Sequence, residues 1–408
     1  MGLYNIKTYI RRRGYILFEP IFKICKKVRS VRMQGSYKRV FPGGNTSEGF
    51  FSYYQYLLEK GTKRVFVIKG GPGVGKSTLM KKVGKKMLEL GYDVEFHHCS
   101  SDDHSLDGIA IIPAGIVMVD GTAPHIIDPK YPGGLDEIIN MGDYWNVEAM
   151  QLNNAKIVAT TNEVSRFFAR AYRFLAAARS IAEDIIVMHK QCMDFAGSNR
   201  ILAIFERILA ERTYSSEPVS ALGHERHLFS CAYTPNGFID FTDTILQGIR
   251  QIYYLSGPMG TGKTTLLRKI ADRAMEKGLD VEIYHTPLIP AKIGTLLIPG
   301  LNLALTTSEK FKSAPSETLD LSKYLNRTKL AALQADIDSD NKLLQQLIDL
   351  GLENIRRAKE EHDVLEQYYV PNMDFSAAED KYEEIIDRIL SLAAGEAKAT
   401  AANARIYN

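Results

Sequence analysis

A chain of 408 residues that is 45% hydrophobic has enough apolar mass for two globular domains. No apolar run is long enough to span a bilayer, and Cys25, Cys99, Cys192 and Cys231 are scattered with no CxxC pair, which argues against a disulfide framework or zinc ribbon and fits a reducing cytoplasm. The formal charge of +3 is uneven: residues 1–32 hold nine Lys/Arg against Glu19, so residues 33–408 carry −5 and give no reason to expect a nucleic-acid partner.

The basic segment 1–32, with Arg11-Arg12-Arg13 and Lys26-Lys27, has three readings. Translation starts at Met33, or the segment is a loose basic arm, or Tyr15–Phe22 forms a short helix on a membrane or acidic partner. Glu19 and Pro20 interrupt the apolar stretch and argue against a signal peptide.

Further along, Val65-Phe66-Val67-Ile68 predicts a buried strand. It runs into Gly70-Gly71-Pro72-Gly73-Val74-Gly75-Lys76-Ser77-Thr78, a match to G-x-x-x-x-G-K-[ST], and then into a helical pattern from Ser77 to Leu90 closed by Gly91. Strand, glycine loop and helix start together aim backbone N–H groups at a phosphate chain. In that reading Gly70 to Thr78 cradle a nucleotide, Lys76 reaches its β- and γ-phosphates, and Ser77 offers a hydroxyl to Mg²⁺.

A second strand is expected over Asp93–Cys99, followed by the polar run Ser100–Asp107 and the apolar pair Ile109–Ile112 and Ile116–Val119. The last of these ends in Asp120, which reads as the carboxylate that holds Mg²⁺ opposite Ser77. Asp102 or Asp103 would orient an attacking water or partner the metal, and the bland alternative for each is a solvated turn. His97, His98 and Cys99 invite a metal reading, but adjacent strand residues face opposite ways, and His98 and His285 read as structural or as lying near the nucleotide. Val147–Lys190 is a long helical stretch, on which Arg166, Arg170 and Arg173 share a face as a solvated stripe or a lid.

The second half repeats the order. Ile252-Tyr253-Tyr254-Leu255 precedes Gly257-Pro258-Met259-Gly260-Thr261-Gly262-Lys263-Thr264-Thr265, a second match starting 187 residues after the first. A helix over Thr264–Lys277, a strand over Asp280–His285, the pair Thr295–Ile298 and Leu301–Leu305, and a helical hairpin within Thr318–Tyr368 follow. Outside the loops, Phe41…Gly49-Phe50 parallels Phe229…Gly237-Phe238, and Met193-Asp194-Phe195 parallels Met373-Asp374-Phe375. The period is that of whole domains, and the expected division is an arm or mis-assigned start at 1–37, a first domain at 38–223 and a degenerate copy at 224–408. Strands alternating with helices predict an α/β fold: two tandem P-loop domains, each a mainly parallel three-layer αβα sheet with a helical appendage.

Comparing the copies separates binding from chemistry. Aligning Pro113 with Pro299 puts Thr306 at the place of Asp120, and Pro287–Gly294 replaces the carboxylates and hydroxyls of Ser100–Asp107. The second copy keeps the cradle, Lys263 and Thr264 (the remaining Mg²⁺ ligand), with Glu309 or an acid from the other domain as a possible stand-in.

The strings Gly43-Gly44-Asn45-Thr46-Ser47-Glu48-Gly49, Lys69 to Ser77, His97-His98-Cys99-Ser100-Ser101-Asp102 and Asp120-Gly121-Thr122-Ala123-Pro124-His125 resemble an uncharacterised family of tandem P-loop ATPase-like proteins of spore-forming and related bacteria. The resemblance covers about residues 38–400 and implies a cytoplasmic ATP-binding protein without naming a substrate. The leading expectation is a Mg²⁺-dependent ATP hydrolase, active at the first cradle and chiefly binding ATP or another nucleotide at the second. A kinase acting on a small molecule or nucleotide, and a non-catalytic nucleotide-gated scaffold whose helical appendages engage a protein partner, are the alternatives. The oligomeric state is left open.

Overall fold

The computed structural model describes residues 34–57, 61–123, 126–212, 221–313 and 316–406. The three readings of segment 1–32, and the choice of Met33 as a start, concern residues outside that set. The first half runs β1 (Tyr37–Val40), a hairpin of β2 (Gly43–Thr46) and β3 (Gly49–Ser52), β4 (Arg64–Lys69), α1 (Lys76–Glu89), β5 (Val94–His98), β6 (Leu106–Ile111), β7 (Ile116–Asp120), β8 (Asp136–Asn140), α2 (Val147–Leu152), α3 (Asn154–Cys192) and α4 (Phe195–Arg212). The second half repeats it as β9 (Glu225–Phe229), a hairpin of β10 (Cys231–Thr234) and β11 (Gly237–Asp240), the short α5 (Thr242–Ile245), β12 (Gln251–Ser256), α6 (Lys263–Glu276), β13 (Val281–His285), β14 (Ile293–Ile298), β15 (Leu303–Thr306), β16 (Glu317–Asp320), α7 (Arg327–Tyr369) and α8 (Phe375–Ile406).

Each half forms a six-stranded sheet, in the orders β1-β5-β6-β7-β4-β8 and β9-β13-β14-β15-β12-β16. All strands of the first sheet point one way except β6, which pairs antiparallel with both neighbours, and β14 is the matching exception in the second. Gly75 and Gly262, at φ of 95° and 91°, turn each glycine loop into its helix through a conformation that other residues resist.

The strands are apolar on both faces. In β4, Phe66 and Ile68 point into a core with Leu79, Met80, Val83 and Met87 of α1, while Val65 and Val67 point the other way. That second face meets a shared layer to which the other half contributes Leu228, Phe229, Tyr254, Tyr284 and Leu297. The expected three-layer αβα arrangement is therefore corrected. The long helices cover one face of each sheet, and the two remaining faces are buried in one layer to which apolar segments of both halves contribute.

The helices change partners. Met373, Ala378, Tyr382, Ile385 and Ile389, at the end of the chain, complete the core of the first sheet. Reciprocally, Ile201, Phe205 and Leu209 of α4 complete the core of the second, with Leu266, Leu267 and Ile270. A division at 223/224 thus separates the two sheets but not the two cores. The hairpin expected within 318–368 is likewise corrected: residues 317–320 are the edge strand β16, and α7 is one unbroken helix of 43 residues. Its apolar stripe needed a partner, and α3 of the first half provides it. The two run antiparallel, with Phe167 beside Arg357, Leu175 against Gly351, and Ala182 and Ile185 clustered with Leu344 and Ile337.

Polar contacts reproduce the same two-fold logic. Phe41 and Phe229 exchange backbone hydrogen bonds at 2.9 and 3.0 Å. Arg226 holds Glu95 with a two-pronged contact at 2.6 and 2.8 Å in a buried position, and Lys38 meets Glu282 at 3.0 Å in its equivalent. Arg39 Nε donates to His98 Nε2 at 2.9 Å where His227 Nδ1 meets His285 Nε2 at 2.8 Å.

Two outcomes follow. Arg226→Ala strands a buried carboxylate and is expected to destabilise by about 3–5 kcal/mol in urea unfolding. Lys38→Ala, at the more exposed equivalent, should cost about 1 kcal/mol or less. Burial, with Arg39 adding to it, lowers His98 to about 4, and burial with His227 lowers His285 to about 3. Asp103 opposes the shift at His98 and Arg268 reinforces it at His285. The unfolded chain takes up these protons near 6.5 and the folded one does not, so stability is present above that pH and lost as pH falls toward 4. Unfolding midpoints at pH 7, 5.5 and 4.5 should fall in that order, less steeply in His98→Gln/His285→Gln.

Candidate functional site

β4 and β7 are parallel neighbours with Ile68 opposite Asp120, so the first glycine loop and that carboxylate leave the sheet at the same edge. Lys76 Nζ donates to the carbonyls of Gly70 and Gly71, both at 2.7 Å, and lies 3.5 Å from Asp120. Thr122 ties the two together. Its hydroxyl donates to Gly70 O at 3.0 Å and its N–H donates to Asp120 Oδ1 at 2.8 Å. Ser77 Oγ, in the first turn of α1, accepts the Leu106 N–H at 3.0 Å. Burial pushes the Asp120 carboxyl up, the Lys76 ammonium opposes it, and Asp107 adds to the rise. Asp107 is itself buried and accepts a 2.6 Å hydrogen bond from Tyr54.

The roof of this cradle comes from the other half of the chain. A Cβ on Gly71 would lie 2.3 Å from the Tyr369 ring of α7, and one on Gly73 would meet Val370 and Glu366. Tyr382 of α8 donates to Val74 O at 3.2 Å. Burial pushes Glu366 up and His362 down, and both respond to the charges of Lys359, Asp102 and Lys76. Sequence reasoning missed Glu366 and His362, because only the exchange of helices brings them to Lys76.

The two aspartates expected to handle water are placed differently. Asp102 accepts from His104 N–H at 3.2 Å and Ser105 Oγ at 3.0 Å, and lies 3.5 Å from Lys359, which joins it to the roof. Asp103 turns to the contact between halves, where Asn236 donates to its carboxylate at 2.9 Å and its carbonyl meets His98 Nδ1 at 2.8 Å. His97 is buried against Glu95 at 3.0 Å, so the histidines are structural. Arg166 pairs with Glu163 at 2.7 Å on the exposed side of α3.

The strand register revises one alignment. Gly108 pairs with Val119 where Thr295 pairs with Thr306, and the left-handed Gly115 has its counterpart in Asn302. Thr307, not Thr306, therefore stands at the place of Asp120. Gly294 stands at that of Asp107 and Glu309 at that of Thr122. Thr306 is spent within the sheet, sharing a 2.7 Å hydrogen bond with Thr295.

Around the second cradle, Pro258–Thr265 line a cavity of about 550 Å³, within the usual range for ligand sites. Lys263 Nζ donates to the carbonyls of Gly257 and Pro258. Burial lowers it to about 8, and Glu309 opposes the shift. Both halves build the walls: Ile186 and Lys190 of α3, Leu344 and Ile348 of α7, and Tyr233 and Phe238 of the β10–β11 hairpin.

The two cradles differ in their fitness for Mg²⁺. Among the described residues no group of three or more His, Cys, Asp or Glu side chains could hold a metal. Mg²⁺ needs fewer, since it keeps waters and takes one or two protein oxygens beside phosphate oxygens. Ser77 and Asp120 fit that role. Near Thr264 the fit fails. Thr264 Oγ1 faces Ile293 O at 3.5 Å, Thr307 stands at the place of Asp120, and the carboxylates that line the cavity, Asp240 and Glu309, stand elsewhere. Glu309 accepts from Tyr254 Oη at 2.7 Å, and Asp240 from Thr242 N–H at 2.8 Å and Ser308 Oγ at 2.6 Å.

The roof can be tested by overpacking. Gly71→Ala should destabilise by about 1–3 kcal/mol. The variant Gly71→Ala/Tyr369→Ala should be less destabilised than the sum of its singles by about 1 kcal/mol, as read in a double-mutant cycle of urea unfolding.

No helix among the described residues is long and apolar enough to cross a membrane. A scan with family models, a search of curated proteins and a search of solved structures each find no match for this chain.

Proposed function

We propose that the chain is a Mg²⁺-dependent ATP hydrolase of the tandem P-loop kind its motifs resemble, with turnover at the first cradle and nucleotide binding at the second. The observation that carries this reading is the placement of Lys76 3.5 Å from Asp120, at the shared edge of two parallel strands, with Ser77 opening the helix behind. The second cradle lacks that carboxylate.

Phosphoryl transfer asks a protein mainly for positioning and for charge where charge develops. When ATP binds, Lys76 leaves the loop carbonyls for the β- and γ-phosphates, and the loop N–H groups take the oxygens. Ser77 and Asp120 would hold Mg²⁺, which would neutralise phosphate charge when bound. Water has two candidate orienting carboxylates, Asp102 and Glu366. Burial raises Glu366, which makes it a better proton acceptor than an exposed carboxylate. Asp103, committed to Asn236, is left with a structural role.

Phosphate release by purified full-length chain tests the reading. Lys76→Ala and Asp120→Asn should each lower the rate by about a hundredfold or more. Lys263→Ala should retain a substantial fraction. Equal losses at the two lysines would remove the distinction between the sites, and release only with an added metabolite would move the reading to a kinase.

A further inference from the structure

The second cradle has exchanged carboxylates for ammonium groups. The loops after β5 and β13 have equal length and matching hydrogen bonds, Cys99 N–H to Ser105 O at 3.1 Å and Thr286 N–H to Lys292 O at 2.9 Å. Lys292 therefore stands at the place of Ser105. At the helix ends, the shared turns at Met193 and Met373 set Lys190 opposite Val370 and Ile186 opposite Glu366. Three acids around the first cradle, Asp107, Asp120 and Glu366, thus become Gly294, Thr307 and Ile186, while two neutral positions become lysines.

Lys190 and Lys292 line the same cavity as Lys263. Burial lowers Lys292, the charges of Lys190 and Arg179 lower it further and Glu183 opposes the shift, so the two lysines that line the cavity are near enough to repel. The carboxylates that also line the cavity, Asp240 and Glu309, are held by hydroxyl and N–H donors, and Lys310 is tied to Asp243 at 2.6 Å. Two like charges beside a glycine loop are relieved by an anion that binds between them. The rest of the lining includes the apolar side chains of Tyr233, Phe238, Leu288, Leu344 and Ile348.

We infer that the C-terminal cavity binds a phosphorylated ligand with an apolar body of nucleoside size without a divalent cation, Lys190 and Lys292 supplying the positive charge that Mg²⁺ supplies at the first cradle. This rests on the reading of both glycine loops as phosphate cradles. The polyphosphate lies along Pro258–Thr265, and its outer oxygens meet the two lysines. The body of the ligand lies against the hairpin aromatics and α7.

The test is calorimetric titration of the full chain with ATP, and separately with tripolyphosphate, in Mg²⁺ and in EDTA. In EDTA one equivalent of ATP should still bind, more tightly than tripolyphosphate because of the apolar lining. Lys263→Ala should abolish that binding, and Lys190→Gln and Lys292→Gln should each weaken it about tenfold. Lys190→Arg/Lys292→Arg, which keeps both charges, should retain it and controls for folding. Loss of all ATP binding in EDTA, with binding in Mg²⁺ intact, would overturn the inference and leave the proposed function standing. Metal-free binding that is unchanged in Lys190→Gln/Lys292→Gln would overturn it too. If ATP fails to bind in Mg²⁺ the proposed function falls. Lys263-dependent tripolyphosphate binding in EDTA would then still support a metal-free anion site, and its absence would overturn both.

Discussion

The apolar layer between the two sheets is what the rest of the molecule depends on. Val65 and Val67 on one side, and Tyr254, Tyr284 and Leu297 on the other, are buried together with short segments of both halves, among them Tyr53, Tyr54, Phe241 and Ile245, and with none of the long helices. Burying such faces is the main favourable contribution to folding. Its geometry brings the halves together about a pseudo-two-fold axis, which places Glu95 against Arg226 and Glu282 against Lys38. With the sheets fixed in this way, α3 and α7 each run from their own half toward the glycine loop of the other. At a rise of about 1.5 Å per residue, α7 is about 65 Å long, enough to line the second cavity and roof the first cradle.

The two cradles inherit one backbone and differ in charge. At the first, the half-buried carboxylates of Asp120 and Glu366 feel the charge of Lys76, and partial burial raises both. At the second, Gly294, Thr307 and Ile186 stand at the places of those acids, Lys190 and Lys292 join the lining, and the carboxylates present, Asp240 and Glu309, are held by hydroxyl and N–H donors. Two glycine loops of matching backbone thus stand in two electrostatic settings, one beside Asp107, Asp120 and Glu366 and one beside Lys190 and Lys292. One helix, α7, reaches both, through Leu344 and Ile348 at its middle and Glu366 and Tyr369 at its C-terminal end.

Local structure was legible in the sequence where local rules decide it. The strands before the loops, the helices opened by Gly75 and Gly262, and the apolar strand ending in Asp120 follow from periodicity and glycine placement. Three things were not legible because distant residues settle them. An apolar stripe on α7 announces a partner but not which one, so a hairpin within Thr318–Tyr368 reads as well as a pairing with α3. A strand apolar on both faces announces a cover but not that the other half is the cover. Proline alignment placed Thr306 opposite Asp120, whereas the left-handed Asn302, which replaces Gly115, shifts the register by one residue. The roof over Gly71 and Gly73 was invisible for the same reason: Glu366 and Tyr369 reach it only through the exchange.

The central claim is that neither half completes its own core or its own cradle. Fragments 34–220 and 221–408, expressed separately and then mixed in equal amounts, test it most directly by circular dichroism and sedimentation. The account predicts that each alone lacks a cooperative thermal transition, and that the mixture forms a one-to-one complex with the transition of the intact chain. A fragment 34–220 that is monomeric, melts cooperatively on its own and does not bind 221–408 would contradict it.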